Sequence, residues 1–212
     1  MQIKYNKTTR TEKPKYIVVH TTGNPRKGAD AMAHFEYWNS ENVGQSADFV
    51  VDDKQVLKIN DYNKFFTWHC GDGRGKNGIT NGNSIGIEIC VNADGNFEKA
   101  LSNAILLIRD LKKETGIENV VRHYDASGKI CPAELYGGNW DKWEEFLEKV
   151  NATMIEELTT PNDIVWELTQ RGIVQDDVGM LKEMNKNPNG RLYWLARKSL
   201  DYIRTGGILR EK

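Results

Sequence analysis

Cysteine, long apolar runs and an excess of either charge are all scarce in this chain of 212 residues. There are three cysteines, Cys70, Cys90 and Cys131, too few for a disulfide framework, and the odd number suits reduced thiols with one available to a metal. A Cys70–Cys90 disulfide is the alternative the count leaves open. No stretch approaches the ~20 apolar residues needed to cross a bilayer, which argues against membrane insertion. The first residues, Met1 to Lys7, lack the apolar run of a signal peptide, so export would need outside help. With 29 basic and 30 acidic residues mixed throughout, no basic face is available to neutralise a nucleic-acid backbone. No internal repeat or low-complexity tract is visible, and 39% apolar content suffices for a globular core.

What is present alternates between strand and helix patterns. Tyr16-Ile17-Val18-Val19-His20 reads as a buried strand closed by Thr-Thr-Gly-Asn-Pro. Ala29, Met32, Ala33 and Tyr37 recur at helical spacing and predict a helix over about 28–40. Residues 48–51 and 56–59 flank Asp52-Asp53-Lys54-Gln55 as a hairpin. A Gly-rich loop headed by His69-Cys70-Gly71-Asp72-Gly73 leads to 84–90, a central strand that carries one acid, Glu88, among apolar neighbours. Leu101, Ala104, Ile105, Ile108 and Leu111 form a helix face ended by Gly116, and Trp140, Trp143, Leu147 and Val150 mark a further helix. Together these imply an α/β domain with a mixed central sheet flanked by helices.

After Val150 the composition turns polar, so 1–150 is read as one domain and 151–162 as a linker. Thr160-Pro161-Asn162-Asp163 has the form of a helix start. The segment 163–212 then reads as a small all-helical domain, with Gly172 and Asn187-Pro188-Asn189-Gly190 as breaks. Its tryptophans, Trp166 and Trp194, suit either helix packing or stacking on sugars.

The candidate chemistry lies in the first domain. His20 ends one apolar run, His123 ends another, Val120-Val121-Arg122, and Cys131 follows with Lys129 two residues before it. Three N/S ligands that leave a fourth position to water distinguish catalytic zinc from structural zinc, whose positions are all filled by protein. Singly, each residue has a plainer reading: the histidines could cap strand ends, Cys131 could be a buried thiol, Glu88 a cross-sheet ion pair and Lys129 a solvated loop lysine. His34, on the first helix, reads as structural.

Val18-Val19-His20-Thr21-Thr22-Gly23, Trp68-His69-Cys70-Gly71-Asp72, Asn83 to Glu88, and Arg122-His123-Tyr124-Asp125 through Lys129-Ile130-Cys131-Pro132 together resemble the zinc-dependent N-acetylmuramoyl-L-alanine amidases. This is the amidase-2 type, related to animal peptidoglycan recognition proteins and to phage lysozymes of amidase activity. The resemblance covers about 10–150 and keeps the family's order. It implies Zn2+ held by His20, His123 and Cys131, with Lys129 meeting the oxyanion and Glu88 acting as general base. Trp68 and His69 would face the substrate. Several members carry a tyrosine facing the metal just before the hairpin strand, where this chain has Ala47. That departure strengthens the case for Glu88 as the base, and leaves Asp48 as an acid that could face the cleft.

The implied function is cleavage of the amide between N-acetylmuramic acid and L-alanine in bacterial peptidoglycan. Without a signal peptide the expected setting is a phage or prophage endolysin, made in the host cytoplasm and acting on the wall after release. The alternatives are a bacterial autolysin of the same activity and a wall-recognition module that does not cut. Members of the latter kind typically lack the cysteine that Cys131 supplies here. The C-terminal helices would bind the wall or pair two chains; with nine basic and nine acidic residues over 151–212, charge does not choose between these.

Overall fold

The computed structural model describes residues 1–152 and Lys186. In chain order the elements are β1 (Lys7–Thr9), β2 (Tyr16–Thr21), α1 (Ala31–Ser40), β3 (Phe49–Val51), β4 (Val56–Lys58), β5 (Phe65–Thr67), β6 (Ser84–Ile89), α2 (Phe97–Thr115), β7 (Asn119–Arg122), α3 (His123–Ser127) and α4 (Asp141–Asn151). Three short 3-10 turns, at Gly71–Gly73, Lys76–Gly78 and Asn81–Asn83, fill the Gly-rich loop between β5 and β6. Asn151 closes α4. The expected helical segment at 163–212, with Trp166 and Trp194, and most of the expected linker lie outside the described residues.

Five strands form a mixed sheet in the order β4-β3-β6-β2-β7. β2 runs parallel to β6 and β7, β3 runs parallel to β6, and only the hairpin partner β4 is antiparallel. The central strands are β-branched and buried on both faces, as parallel strands are when helices cover both sides. In β6 the alternation is clean. Ile85, Ile87 and Ile89 join Ile17 and Val19 of β2 in a core with Ile108 of α2 and Trp143 and Phe146 of α4. Gly86 and Glu88, which alternate with those isoleucines, face the other way. That second face carries α1, whose Ala31 and Trp38 pack with Val50, Ile59 and Cys90.

α1 begins three residues later than the periodicity suggests, because the Asp30 side chain accepts the Ala33 amide and so fixes the cap. α2 is capped by Asn96 and ends at Gly116, as expected. Two short strands escape sequence analysis: β1 and β5 pair antiparallel as a separate ribbon. Among the described residues no helix is long and apolar enough to cross a membrane. Cys70 and Cys90 are both free and buried, so the alternative of a disulfide between them is not realised.

Candidate metal centre

Strand register builds the site. His20 sits directly opposite Glu88 of β6. On its other side β2 pairs Val19 with Arg122, the last residue of β7, so the next residue, His123, arrives at the level of His20. Three parallel strands thus deliver His20, Glu88 and His123 together at their C-terminal ends, where open α/β sheets carry their ligands. α3 then turns the chain, and the Tyr124 amide donates to the Cys131 carbonyl at 3.1 Å, which brings Cys131 back beside the strand ends.

The distances are those of a ligand set. His20 Nδ1 and His123 Nδ1 are 3.0 Å apart, and Cys131 Sγ is 3.9 Å from His20 Nδ1. The nitrogen and sulfur atoms of His20, His123 and Cys131 all lie within 4.8 Å of one another, and all three residues are buried. Tetrahedral zinc with N at about 2.0–2.1 Å and S at about 2.3 Å separates its ligand atoms by roughly 3.3–3.6 Å. The donor types therefore suit zinc, and the 3.0 and 3.9 Å separations bracket that spacing. Glu88 Oε1 lies 4.0 Å from His20 Nδ1, while its Oε2 is buried with no hydrogen-bond partner. An unpaired buried acceptor is rare in a folded protein and calls for a partner that the protein's own groups do not supply.

Electrostatics follow from burial. Desolvation lowers the pKa of His20 well below the ordinary value, with His69, His123 and Lys129 adding to the effect. Desolvation likewise lowers His123, although Asp72 opposes it. Both rings are therefore neutral and can offer lone pairs. Burial pushes the Cys131 thiol up to about 12, with Glu88 adding and Lys129 opposing; a bound dication reverses that preference by deprotonating a coordinating thiol. Burial also pushes the Glu88 carboxyl up to about 8, against the pull of Lys129 and with a further push from Glu134. Lys129 stays exposed in the loop before Cys131 while its charge reaches His20, Glu88 and Cys131.

Two expected site residues sit elsewhere than the sequence suggests. His69 is 9% exposed and lies behind His20 rather than open to a substrate. Its Nδ1 is 3.0 Å from His20 Nε2, and its Nε2 is 3.1 Å from Ser84 Oγ. Asp48 does not face the cleft: its carboxylate accepts from Asn60 Nδ2 at 2.6 Å, the Gly86 amide at 2.8 Å and Thr67 Oγ1 at 3.0 Å, fully buried beneath β6. Ala47 is buried in the α1 core. Trp68 is 38% exposed, and its indole donates to Thr8 Oγ1 at 3.1 Å.

One residue gains a place that sequence reasoning had not given it. Asp72 Oδ1 accepts from His123 Nε2 at 2.6 Å. The 3-10 turn that carries Asp72 can approach α3 this closely because Gly73 has no side chain: a Cβ there would run into the Ala126 carbonyl and Ser127. The sequence signal was available, an acid one residue before a glycine in the loop after His69.

The model of the N-acetylmuramoyl-L-alanine amidase family matches residues 10–134. The chain is 47% identical over 145 residues to the N-acetylmuramoyl-L-alanine amidase CwlH of Bacillus subtilis, covering 66% of this chain and 54% of that protein. It spans about half the length of the curated relatives it matches. The solved catalytic domain of XlyA superposes with a TM-score of 0.60 at 39% identity, over 71% of this chain and all of that one. A mutant endolysin from Bacillus subtilis gives a TM-score of 0.62 at 41% identity, again over 71% of this chain and all of that one.

Proposed function

The chain belongs to the N-acetylmuramoyl-L-alanine amidase family, and from that premise we propose that it hydrolyses the amide between the lactyl group of N-acetylmuramic acid and L-alanine in bacterial peptidoglycan, with zinc held by His20, His123 and Cys131. The observation that carries this reading is the convergence of three buried N/S donors within 4.8 Å of one another at the ends of parallel strands. Zinc, when bound there, supplies a Lewis acid for the scissile carbonyl and a water acidic enough to ionise near pH 7.

The protein's own groups do the rest. Glu88, with an unpartnered oxygen beside the ligand set, takes the proton of the attacking water and returns it to the departing L-alanine amine. A carboxyl held near neutrality by burial can do both. The Lys129 ammonium, on the loop that ends at Cys131, offers positive charge to the oxygen that becomes negative as the carbonyl is attacked. Trp68 presents an exposed indole face suited to a sugar or stem peptide.

We further propose that 151–162 is a linker and that 163–212 is a helical domain that holds the enzyme on the wall. The likeness to a solved endolysin supports release through a lysis event as the setting. Digestion of purified cell walls tests the activity: new L-alanine amino termini should appear without new reducing sugar ends, and the reverse pattern would contradict the reading. Deleting 152–212 should leave cleavage of soluble wall fragments intact and abolish pelleting with intact walls.

A further inference from the structure

Both ligand histidines present Nδ1, and the hydrogen bonds behind them say where their protons are. The chain of hydrogen bonds begins at Ser84. Its hydroxyl donates its one proton to the Thr80 carbonyl at 2.5 Å, so toward His69 Nε2, 3.1 Å away, Ser84 Oγ can only accept. His69 Nε2 therefore carries a proton. In the neutral ring that leaves His69 Nδ1 as an acceptor, and the group 3.0 Å from it, His20 Nε2, must donate. His20 Nδ1 is then left with a bare lone pair directed at His123 and Cys131. On the other side, the Asp72 carboxylate accepts a hydrogen bond from His123 Nε2–H at 2.6 Å, which keeps the proton on Nε2 and bares His123 Nδ1 in the same way. Two lone pairs now face each other across 3.0 Å, an arrangement that repels until a cation lies between them.

We propose that His69 and Ser84 are positioning residues, a relay from the Thr80 carbonyl that fixes His20 in the tautomer and orientation able to ligate through Nδ1, as Asp72 does for His123. This rests on the metal reading above. An independent feature of the fold supports it. The His69 ring packs closely against the backbone of β6 at Gly86, where a Cβ would come within 2.6 Å of the ring's Cγ and 2.8 Å of its Cδ2. Strand β6 thus keeps a glycine, at a cost in strand stability, where the ring needs space. The His69 backbone is pinned too: its amide and that of Cys70 donate to Asn81 Oδ1 at 3.0 and 2.7 Å. Loop, strand and ring are built around one orientation of one imidazole.

The test combines ring-nitrogen NMR of 15N-histidine-labelled protein with zinc affinity measured against a competing fluorescent chelator. In the metal-free wild type, His20 should show a protonated Nε2 and an unprotonated Nδ1. Partners behind a metal-ligating histidine typically govern 10- to 100-fold in affinity, so Ser84→Ala should weaken zinc by about tenfold and His69→Phe by up to about a hundredfold. Ser84→Ala should also leave the His69 ring exchanging between tautomers, which a merely structural role would not produce. Gly86→Ala should weaken zinc as His69→Phe does while the amide signals of β2 and β7 persist. If His69→Phe fails to fold, the wild-type ring shifts and Ser84→Ala still decide. A wild-type His20 protonated on Nδ1, or variants within about twofold of wild-type zinc affinity with unchanged ring shifts, would overturn the relay while leaving the metal reading intact. A wild type that takes up no zinc would overturn both.

Discussion

At the scale of the residue, Glu88 carries the sharpest consequence. Its carboxyl, ordinarily titrating near 4.5, is pushed up to about 8 in the metal-free protein, so the folded state holds the proton more tightly than the unfolded chain does. Its contribution to stability is fully present below about pH 4.5, is lost progressively as pH rises, and is gone above about 8. Glu88→Gln should therefore raise the thermal midpoint of the metal-free protein at pH 8 to 9 and change it little at pH 4. Parallel thermal scans across that range check it, and an equal effect at both ends would show that the carboxyl is not held up by burial. The same variant should retain zinc and lose most turnover; an active Glu88→Gln enzyme would remove Glu88 from the role of base. At this scale much of the site is legible in sequence. His20, His123, Cys131 and Glu88 stand at the ends or centres of strand patterns inside recognisable motifs. His69 and Asp72 are harder, because a loop histidine aimed at a substrate and one aimed at a ligand's far nitrogen read alike until the loop is folded.

At the scale of the element, register is what makes a site of these residues. A one-residue slip of β6 would carry Glu88 to the face covered by α2 and α4 and put an isoleucine beside His20. Asp48 guards against that slip, since its carboxylate holds the Gly86 amide as well as Asn60 and Thr67. Asp48→Ala would leave the Gly86 amide and the Thr67 hydroxyl without an acceptor, each costing about 1–3 kcal/mol, and would leave Asn60 Nδ2 with the Phe65 carbonyl alone, so a loss on the order of 3 kcal/mol is expected in urea unfolding. A loss below about 1 kcal/mol, within the effect of an ordinary surface change, would show that the register does not depend on it. The principal helices and the β3–β4 hairpin follow from periodicity and caps. The β1–β5 ribbon does not, because Lys7-Thr8-Thr9 has no apolar alternation and its pairing with β5 spans more than fifty residues. Asp48 misleads for a related reason: an acid just before a strand points to cleft or core according to a pleat that only the neighbouring strands define.

At the scale of the whole molecule, one face of the sheet is covered wholly by apolar packing, and the other shares α1 packing with the ligand set. α2 and α4 bury Ile108, Trp143 and Phe146 against the isoleucines of β6, while the opposite face carries the ligand set, Glu88 and the relay through His69. Ligands drawn from β2, the start of α3 and the segment after it mean that the centre exists only once the sheet has formed, so zinc uptake and folding should be linked. The most direct test is release of L-alanine amino termini from purified cell walls by three samples of the full chain: as isolated, stripped by a chelator, and stripped then supplied with one equivalent of zinc. Release that disappears on chelation and returns with zinc is the predicted result. Undiminished release by the stripped protein, or none under any condition while the protein still pellets with the wall, would contradict the assignment of His20, His123 and Cys131 as a hydrolytic zinc centre.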